Sequence, residues 1–405
     1  MHIVIVCQVF FPDTQSTSEL LTSLLRDFSD SPLKFTVITA YTENEKSGQS
    51  PRREYIGNLE IRRTGIKMRY RGSILRRGLH YLCYMSGASI ELVRLRKASL
   101  VFGVTNPPFT PVWLWSLSKL FLGRYQVMLQ DIYPEGLIAV GKLKSRSIVS
   151  RLWRHFNGLA LNEADKIFVL GRDMRELVRS HYSVGITKIV YIPHWSIVPP
   201  ATPIAPESAT LMGRLDLKDK FVVQYSGNMG LWHDIDCIIR AAARLTNRND
   251  IHFLLIGDGL RLQHAKRLAS ALGIRNLTWL PFQENRELHD SLSSCHLALV
   301  SQREGLQGIA VPCKLYGIMA VGRAILAMVP SGSEIDLVVR EENCGHVVSP
   351  GDDDALATAI LELAANRPML QQMGLNSYNA FQRKYTVSRA KTKFEAAWSQ
   401  APIGL

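Results

Sequence analysis

Lys314 and Asp131 are the two residues whose type and setting best suit chemistry. Lys314 lies in EGLQGIAVPCKLYGIMAVG, residues 304–322. The apolar run HLALVSQ before it reads as a buried parallel strand. Pro312 suits a first helical turn, having no N–H to lose, so a helix is expected to open there. A cation in a first turn opposes the helix dipole. The mismatch is relieved if an anion such as a phosphate binds at that helix tip; an ordinary surface lysine is the plain alternative. The intervening loop carries Gly308 and Glu304, which fits a sugar hydroxyl or bulk water equally well. Asp131 ends the apolar strand Tyr125 to Gln130, in QDIYPEG. Asp131 and Glu135 can serve as a base or a substrate clamp, and Asp131 also as a loop cap.

Glycines follow three strands of the second half, at Gly227, Gly257 and Gly308. Loops of this kind let a backbone approach a nucleotide closely, and they are also ordinary strand-to-helix turns. Other chemistries are excluded. GxGxxG is absent after the first strand, as are GxSxG and HExxH. Asp234/Asp236 and Asp352/Asp354 fit an Asp-x-Asp metal pattern, but each lies at a predicted helix start, where aspartate caps N–H groups. The six cysteines form no CxxC pair, which argues against zinc and for a reducing compartment. No metal and no cofactor are expected. His194 reads as a structural residue at a strand end.

The elements that must position these residues alternate as β and α through both halves. His2–Val9, a helix from Ser18, and Lys34–Ala40 form the first βαβ unit, hence a parallel sheet with right-handed crossovers. The first half is expected to span 1–195. Four prolines in SIVPPATPIAPES suggest a linker at 196–209. A second α/β half follows at 210–384, and the remaining helix covers about 385–405. The expected class is therefore α/β, two doubly wound Rossmann-like domains facing an interdomain cleft, with ligand loops at the carboxyl ends of the strands.

Net charge is +13, so the partners are expected to be acidic. Arg62, Arg63, Lys67, Arg69, Arg71, Arg76 and Arg77 crowd around Met68, Tyr70, Ile74 and Leu75, ahead of an apolar helix from Leu79 to Leu95. Basic residues interleaved with aromatics suit an anionic lipid surface, nucleic acid or a solvated basic face. No nucleic-acid module is visible. Ser99–Gly123 is the best candidate for a membrane span, but Pro107, Pro108, Pro111 and Lys119 break it into a strand, a loop and a short helix. The first residues, MHIVIVCQVF, lack the basic leader of a signal peptide and read as a strand.

Taken together, QDIYPE (130–135), YSGNMG (225–230), IGDG (256–259), VPCKLY with MAVG (311–322) and GSE (332–334) resemble the retaining GT-B glycosyltransferases of the family 4 type. Within that group they are most similar to the branch with fucosamine-type transferases of surface polysaccharide synthesis. The resemblance implies a nucleotide-sugar donor, usually a UDP-sugar, bound by the second half. It implies an acceptor on the first half; the basic-aromatic segment 62–85 suggests a lipid-linked sugar or polysaccharide acceptor, with the protein cytoplasmic and peripheral at an anionic inner membrane face. The donor residues would be Gly227, Asn228, His233, Gly257, Asp258, Phe282, Gly308, Val311, Pro312 and Leu315. Gln130 and Glu135 would lie on the acceptor side, and Asp131, Lys314 and Glu304 would be catalytic. The last helix would cross back onto the first half. The chain departs from the family pattern at the usual pair of glutamates, which are Ile309 and Gly317 here, and at the diphosphate-binding arginine and lysine, which are Asn228 and His233. Gln130 replaces a common histidine. Lys314 would then take over the diphosphate, with His233 assisting. A nucleotide-sugar epimerase of the same fold and a weakened nucleotide-binding subunit are the alternatives.

Overall fold

The computed structural model describes residues 1–41, 50–67 and 74–399. The described residues divide into two compact units. The first holds residues up to Pro193, Gly308–Ala310 and the C-terminal helix Val387–Ser399. The second holds His194–Gln307 and Val311–Thr386.

The sheet of the first unit comprises β1 (His2–Val6), β2 (Lys34–Ala40), β3 (Arg53–Ile56), β4 (Leu59–Thr64), β5 (Leu100–Val104), β6 (Tyr125–Leu129), β7 (Ile167–Val169) and β8 (Ile189–Tyr191). Its order is β3-β4-β2-β1-β5-β6-β7-β8, parallel except for the β3–β4 hairpin. Central strands such as β5 and β6 are buried along their whole length. That accounts for their near-continuous apolar sequence, because helices cover both faces of a parallel sheet. The order reverses between β1 and β5, so the loops after β1, β5 and β6 flank a switch point.

The C-terminal helix is anchored on this unit by aromatic packing. Trp398 is 1% exposed, with ring centroids 5.6 Å from Phe28, 5.9 Å from Phe35 and 5.7 Å from Phe102. Phe394 stacks on Phe168 at 5.4 Å. Rings of this size bury large apolar areas and add edge-to-face attraction.

In the second unit the strands are β9 (Phe221–Ser226), β10 (Ile251–Ile256), β11 (Leu277–Leu280), β12 (Leu297–Ser301), β13 (Ala324–Met328) and β14 (Gly345–Val348). All neighbours are parallel, in the order β11-β10-β9-β12-β13-β14. This is the 3-2-1-4-5-6 order of nucleotide-binding sheets, with its switch point between β9 and β12. Asp234 and Asp352 cap their helices, accepting from the amides of Cys237 and Ala355. Asp236 and Asp353 pair with arginines instead.

Three expectations are corrected. The proline-rich stretch 196–209, expected as a linker between the halves, belongs to the second unit. It packs on the second unit through buried Val198, the Ile204 carbonyl that accepts from Arg323 at 2.6 Å, and Glu207 bonded to His296 at 2.8 Å. In the basic segment, Arg62 is bound by Glu60 and Glu91, and Arg63 is 2% exposed and bound by Glu54 and two carbonyls. Alternation in β4 turns those two cations toward carboxylates and carbonyls of the fold; Met68, Arg69, Tyr70 and Arg71 lie outside the described residues. The helix expected from Pro312 starts at Lys314 and has only seven residues, Lys314–Ala320. Among the described residues no helix is long and apolar enough to cross a membrane.

Trp398→Ala is expected to destabilise the first unit by about 3–5 kcal/mol, the usual range for deleting a buried ring. Trp398→Phe should cost less than half of that. Chemical denaturation followed by circular dichroism measures both, and an unchanged midpoint for the alanine variant would refute the anchoring role.

Candidate functional site

At the switch point of the second unit, the loops after β9 and β10 interlock. The amide of Gly227 donates to Ile256 O at 2.9 Å, and that of Met229 to Asp258 O at 2.8 Å. Gly227 has φ +140° and Gly257 φ +136°. A Cβ on Gly257 would stand 2.1 Å from the Gly227 carbonyl oxygen, so only glycine allows this nesting. The Gly227 amide is therefore already used. The Asn228 amide donates to no acceptor among the described residues, and Asn228 is exposed.

Lys314, at the start of the helix after β12, reaches across to this loop. Its Nζ lies 3.3 Å and its Cε 3.2 Å from where a Gly227 Cβ would stand. The ammonium donates to the Tyr225 hydroxyl and sits 3.9 Å from that ring's centroid. The hydroxyl in turn donates to Asn228 O at 2.7 Å. Among the described residues no carboxylate pairs with Lys314. Part of the side chain remains at the surface, but loss of hydration around the nitrogen lowers its pKa to about 7.

His233 completes the cluster. Its Nδ1 lies 2.6 Å from the carbonyl oxygen of Ser301, which can only accept, so Nδ1 carries the proton and Nε2 is left as an acceptor. Burial, and then the nearby Lys314 charge, lower the His233 pKa to about 3. Ser301 Oγ also accepts from the Asp234 amide at 2.8 Å, which fastens the end of β12 to the loop after β9. His233 is thus neutral and Lys314 is the only cation of the cluster.

Other predicted donor residues lie around these loops. Phe282 is 56% exposed, and its Cε1 lies 3.4 Å from where a Gly257 Cβ would stand, so an open aromatic face lies over the glycine turn. Asp258 is exposed and accepts from the adjacent Gly259 amide. Val311 and Leu315 are buried and Pro312 is partly buried. Glu304 is exposed in its loop. Gly308 belongs to the first unit, where its amide donates to Asp173 Oδ2 at 2.8 Å. Gly317 explains one departure from the family pattern: a Cβ there would meet Leu292 Cδ1 at 3.3 Å, leaving little room for a glutamate.

In the first unit Asp131 follows β6. Thr105 Oγ1 accepts from the Gln130 amide at 2.9 Å, which fixes the turn. Asp131 bridges to Ala310, and the Ile132 amide donates to Ile309 O at 2.9 Å. Among the described residues the Asp131 carboxylate has no cationic partner, and burial raises its pKa to about 7. Glu135, expected on the acceptor side, is instead an internal hub. Its Oε1 meets Arg154 at 2.9 Å and His181 at 3.1 Å, and its Oε2 accepts from Tyr182 at 2.8 Å. It is buried at the start of the short helix Glu135–Ala139, so its oxygens are already engaged. Sequence reasoning missed Tyr225. Its aromatic type within YSGNMG was visible, but its contact with Lys314, 89 positions away, was not.

Comparison with known proteins agrees with this arrangement. The family model "Glycosyl transferases group 1" matches residues 210–380. "Probable glycosyltransferase WbjE" of Pseudomonas aeruginosa is 30% identical over 325 residues, 80% of each chain. WcaI of Escherichia coli K12, named for colanic acid biosynthesis, is 28% identical over 257 residues, 62% of each chain. Among solved structures, sucrose-phosphate synthase of Thermosynechococcus elongatus gives a TM-score of 0.80 at 15% identity, covering 98% of each chain. Anabaena HepE in complex with UDP gives 0.74 at 14% identity, covering 98% of this chain and 100% of its own. With two parallel-sheet Rossmann-like units and this likeness, the chain has the GT-B fold, belongs to the glycosyl transferases group 1 family and is a glycosyltransferase.

Proposed function

We propose that the enzyme transfers a sugar, with retained anomeric configuration, from a UDP-sugar to a lipid-linked or polysaccharide acceptor of surface glycan synthesis, as in the fucosamine-type branch. The observation that carries this reading is the unpaired Lys314 ammonium over the glycine loop at the switch point. A desolvated cation without a carboxylate is unfavourable alone and becomes favourable when a diphosphate supplies the counter-charge. The UDP seen in HepE and the colanic acid of WcaI's name support the donor and acceptor classes.

In this mechanism Lys314 and the Asn228 amide hold the diphosphate and stabilise the charge that grows on it as the glycosidic bond breaks. Tyr225 orients the ammonium. Neutral His233 offers Nε2 as an acceptor to a donor hydroxyl. Phe282 stacks on the base, while Gly257 and Asp258 shape the turn beneath it. Val311, Pro312 and Leu315 position Lys314, Gly308 shapes the loop that leads to it, and Glu304 contacts donor hydroxyls. Asp131, beside Gln130, takes or orients the acceptor proton. No enzyme carboxylate is placed as nucleophile; attack comes from the face of the leaving group. No metal is required, because the diphosphate is neutralised by protein groups. The enzyme works at the cytoplasmic face of the membrane.

Lys314→Ala is expected to lower kcat/KM for the donor by about 2–4 kcal/mol in transition-state terms, and to abolish the rise in melting temperature produced by UDP. Equal turnover and an equal shift would overturn the assignment.

The pH dependence has a worked sign. In the free enzyme Lys314 is protonated below about 7 and Asp131 ionised above about 7. The profile of kcat/KM should therefore be a narrow bell centred near pH 7, because this ratio reports groups of the free enzyme. Bound diphosphate favours the ammonium, so at saturating donor the alkaline limb of kcat should move to higher pH. Asp131→Asn should remove the acid limb and Lys314→Met the alkaline one. A flat profile between pH 6 and 8 would contradict both roles.

A further inference from the structure

The apolar surface of the first unit is unevenly distributed. The crossovers from β4 to β5, β5 to β6 and β6 to β7 advance in one direction along the sheet. Right-handed connections therefore put their helices on one face. These are Ile74–Arg94, Thr110–Leu117 with its π-helical extension Ser118–Leu122, and Ile148–Glu163. They pack side by side: Trp113 Nε1 donates to Ser89 Oγ at 3.1 Å, and the Trp115 and Phe156 rings lie 6.2 Å apart. Of the 21 large apolar side chains exposed among the described residues, eleven belong to this layer. Two stripes stand out at helical spacing. Leu75, Leu79 and Leu82 project from the first helix, and Ile148 and Leu152 from the last, with Leu75 86% and Ile148 74% exposed. A crossover helix starts near the carboxyl edge of the sheet, so both stripes begin at the edge that carries Asp131.

The surrounding charge has one sign. Residues 74–165 contain twelve lysines and arginines against five acids. Four of the acids are neutralised within the fold: Glu91 by Arg62 and Arg94, Glu135 by Arg154, Glu163 by Lys119 and Asp165 by Arg124. The fifth is Asp131. Arg76 and Arg77 flank the first stripe, and Lys142, Lys144, Arg146 and Arg151 surround the second, all exposed. Exposed leucines and isoleucine ringed by cations match a bilayer interface, with the apolar side chains at the acyl boundary and the cations among anionic headgroups. A second copy of the chain would bring two cationic rims together, and nucleic acid would leave the apolar stripes without a partner.

We propose that the outer face of this three-helix layer docks on an anionic phospholipid bilayer, the membrane partner of the reading above, through the Leu75–Leu79–Leu82 and Ile148–Leu152 stripes and their basic rim. Docked in this way, the acceptor edge of the first unit faces the lipid surface, and a lipid-linked acceptor can reach Asp131 without leaving the membrane.

Flotation of the full-length protein with vesicles of phosphatidylcholine containing phosphatidylglycerol tests this directly. Binding is expected to anionic vesicles, to be much weaker to pure phosphatidylcholine and to fall with salt. The Ile148→Glu/Leu152→Glu variant should abolish it. Lys142→Glu, Lys144→Glu and Arg146→Glu should each weaken binding about fivefold or more, given the usual contribution of one basic residue near an anionic surface. Because all five positions are exposed, the variants should keep the wild-type circular dichroism spectrum and the UDP-induced thermal shift. That shift reports the donor site separately: its absence in wild type would count against the donor reading, not against docking. Docking is overturned if wild type fails to float with anionic vesicles, or if the Ile148→Glu/Leu152→Glu variant floats equally well. It is also overturned if this face instead holds a dimer that the variant dissociates in analytical ultracentrifugation.

Discussion

A cation without an anion is the constraint around which the switch point of the second unit is built. Lys314 is held against an aromatic ring, a hydroxyl and a glycine turn, with no carboxylate paired to it among the described residues. Partial desolvation of an ammonium costs free energy that a neighbouring acid would ordinarily offset. Here the offset is left for a ligand. The neighbours contribute by what they lack. Gly227 and Gly257 bring no side chain into the crevice, and His233 is kept neutral by burial and by the nearby Lys314 charge. An acid at either place would quench the charge, and a second cation would repel it. The seven-residue helix that carries Lys314 offers little dipole of its own, so charge at this site comes from the side chain more than from the helix tip.

The two sheets give their loops different work. In the second unit the 3-2-1-4-5-6 order lets the loops after β9 and β12 leave the sheet at its switch point, and hydrogen bonds to Ser301 lock one to the other. The two loops are thereby tied at the place where Lys314 reaches across. In the first unit Asp131 is fixed through its backbone, by Thr105 and by the bridge to Ala310, and its carboxylate stays unpaired. Glu135, four residues on, has the opposite fate. Three partners hold it, and it braces the turn that follows β6. Two acids in one motif thus divide into an unpaired carboxylate and a structural one according to whether cations surround them.

Much of the fold was legible because parallel strands buried on both faces leave uninterrupted apolar runs. Lys34–Ala40 and Ala324–Met328 could be bounded from sequence to the residue. The edge hairpin strand Arg53–Ile56 could not, since it is charged and only half covered and so carries no apolar signal. Prolines at 199–206 suggested a linker because proline disfavours regular structure. What binds the stretch down is Arg323, more than a hundred positions away, donating to a carbonyl there. The same limit applies at the site. Residue type revealed Lys314 and Asp131, whereas the partners that define them, Tyr225 in the second unit and Thr105 in the first, are brought near only by the sheet order.

The departures from the family pattern fit together through packing and charge. Position 317 is a glycine whose Cβ would stand 3.3 Å from Leu292 Cδ1, so a larger residue there would press on that side chain. Position 309 is isoleucine, 5% exposed, and its backbone is bonded to Ile132 in the first unit. In the loop after β9 the usual cation positions hold Asn228, which is uncharged, and His233, which burial keeps neutral, so among the described residues Lys314 is the only cation of the cluster around Gly227. A lone cation in a low-dielectric setting exerts a stronger field than one screened by neighbouring acids, so the poor hydration of the Lys314 ammonium partly offsets the absence of charge at 228 and 233.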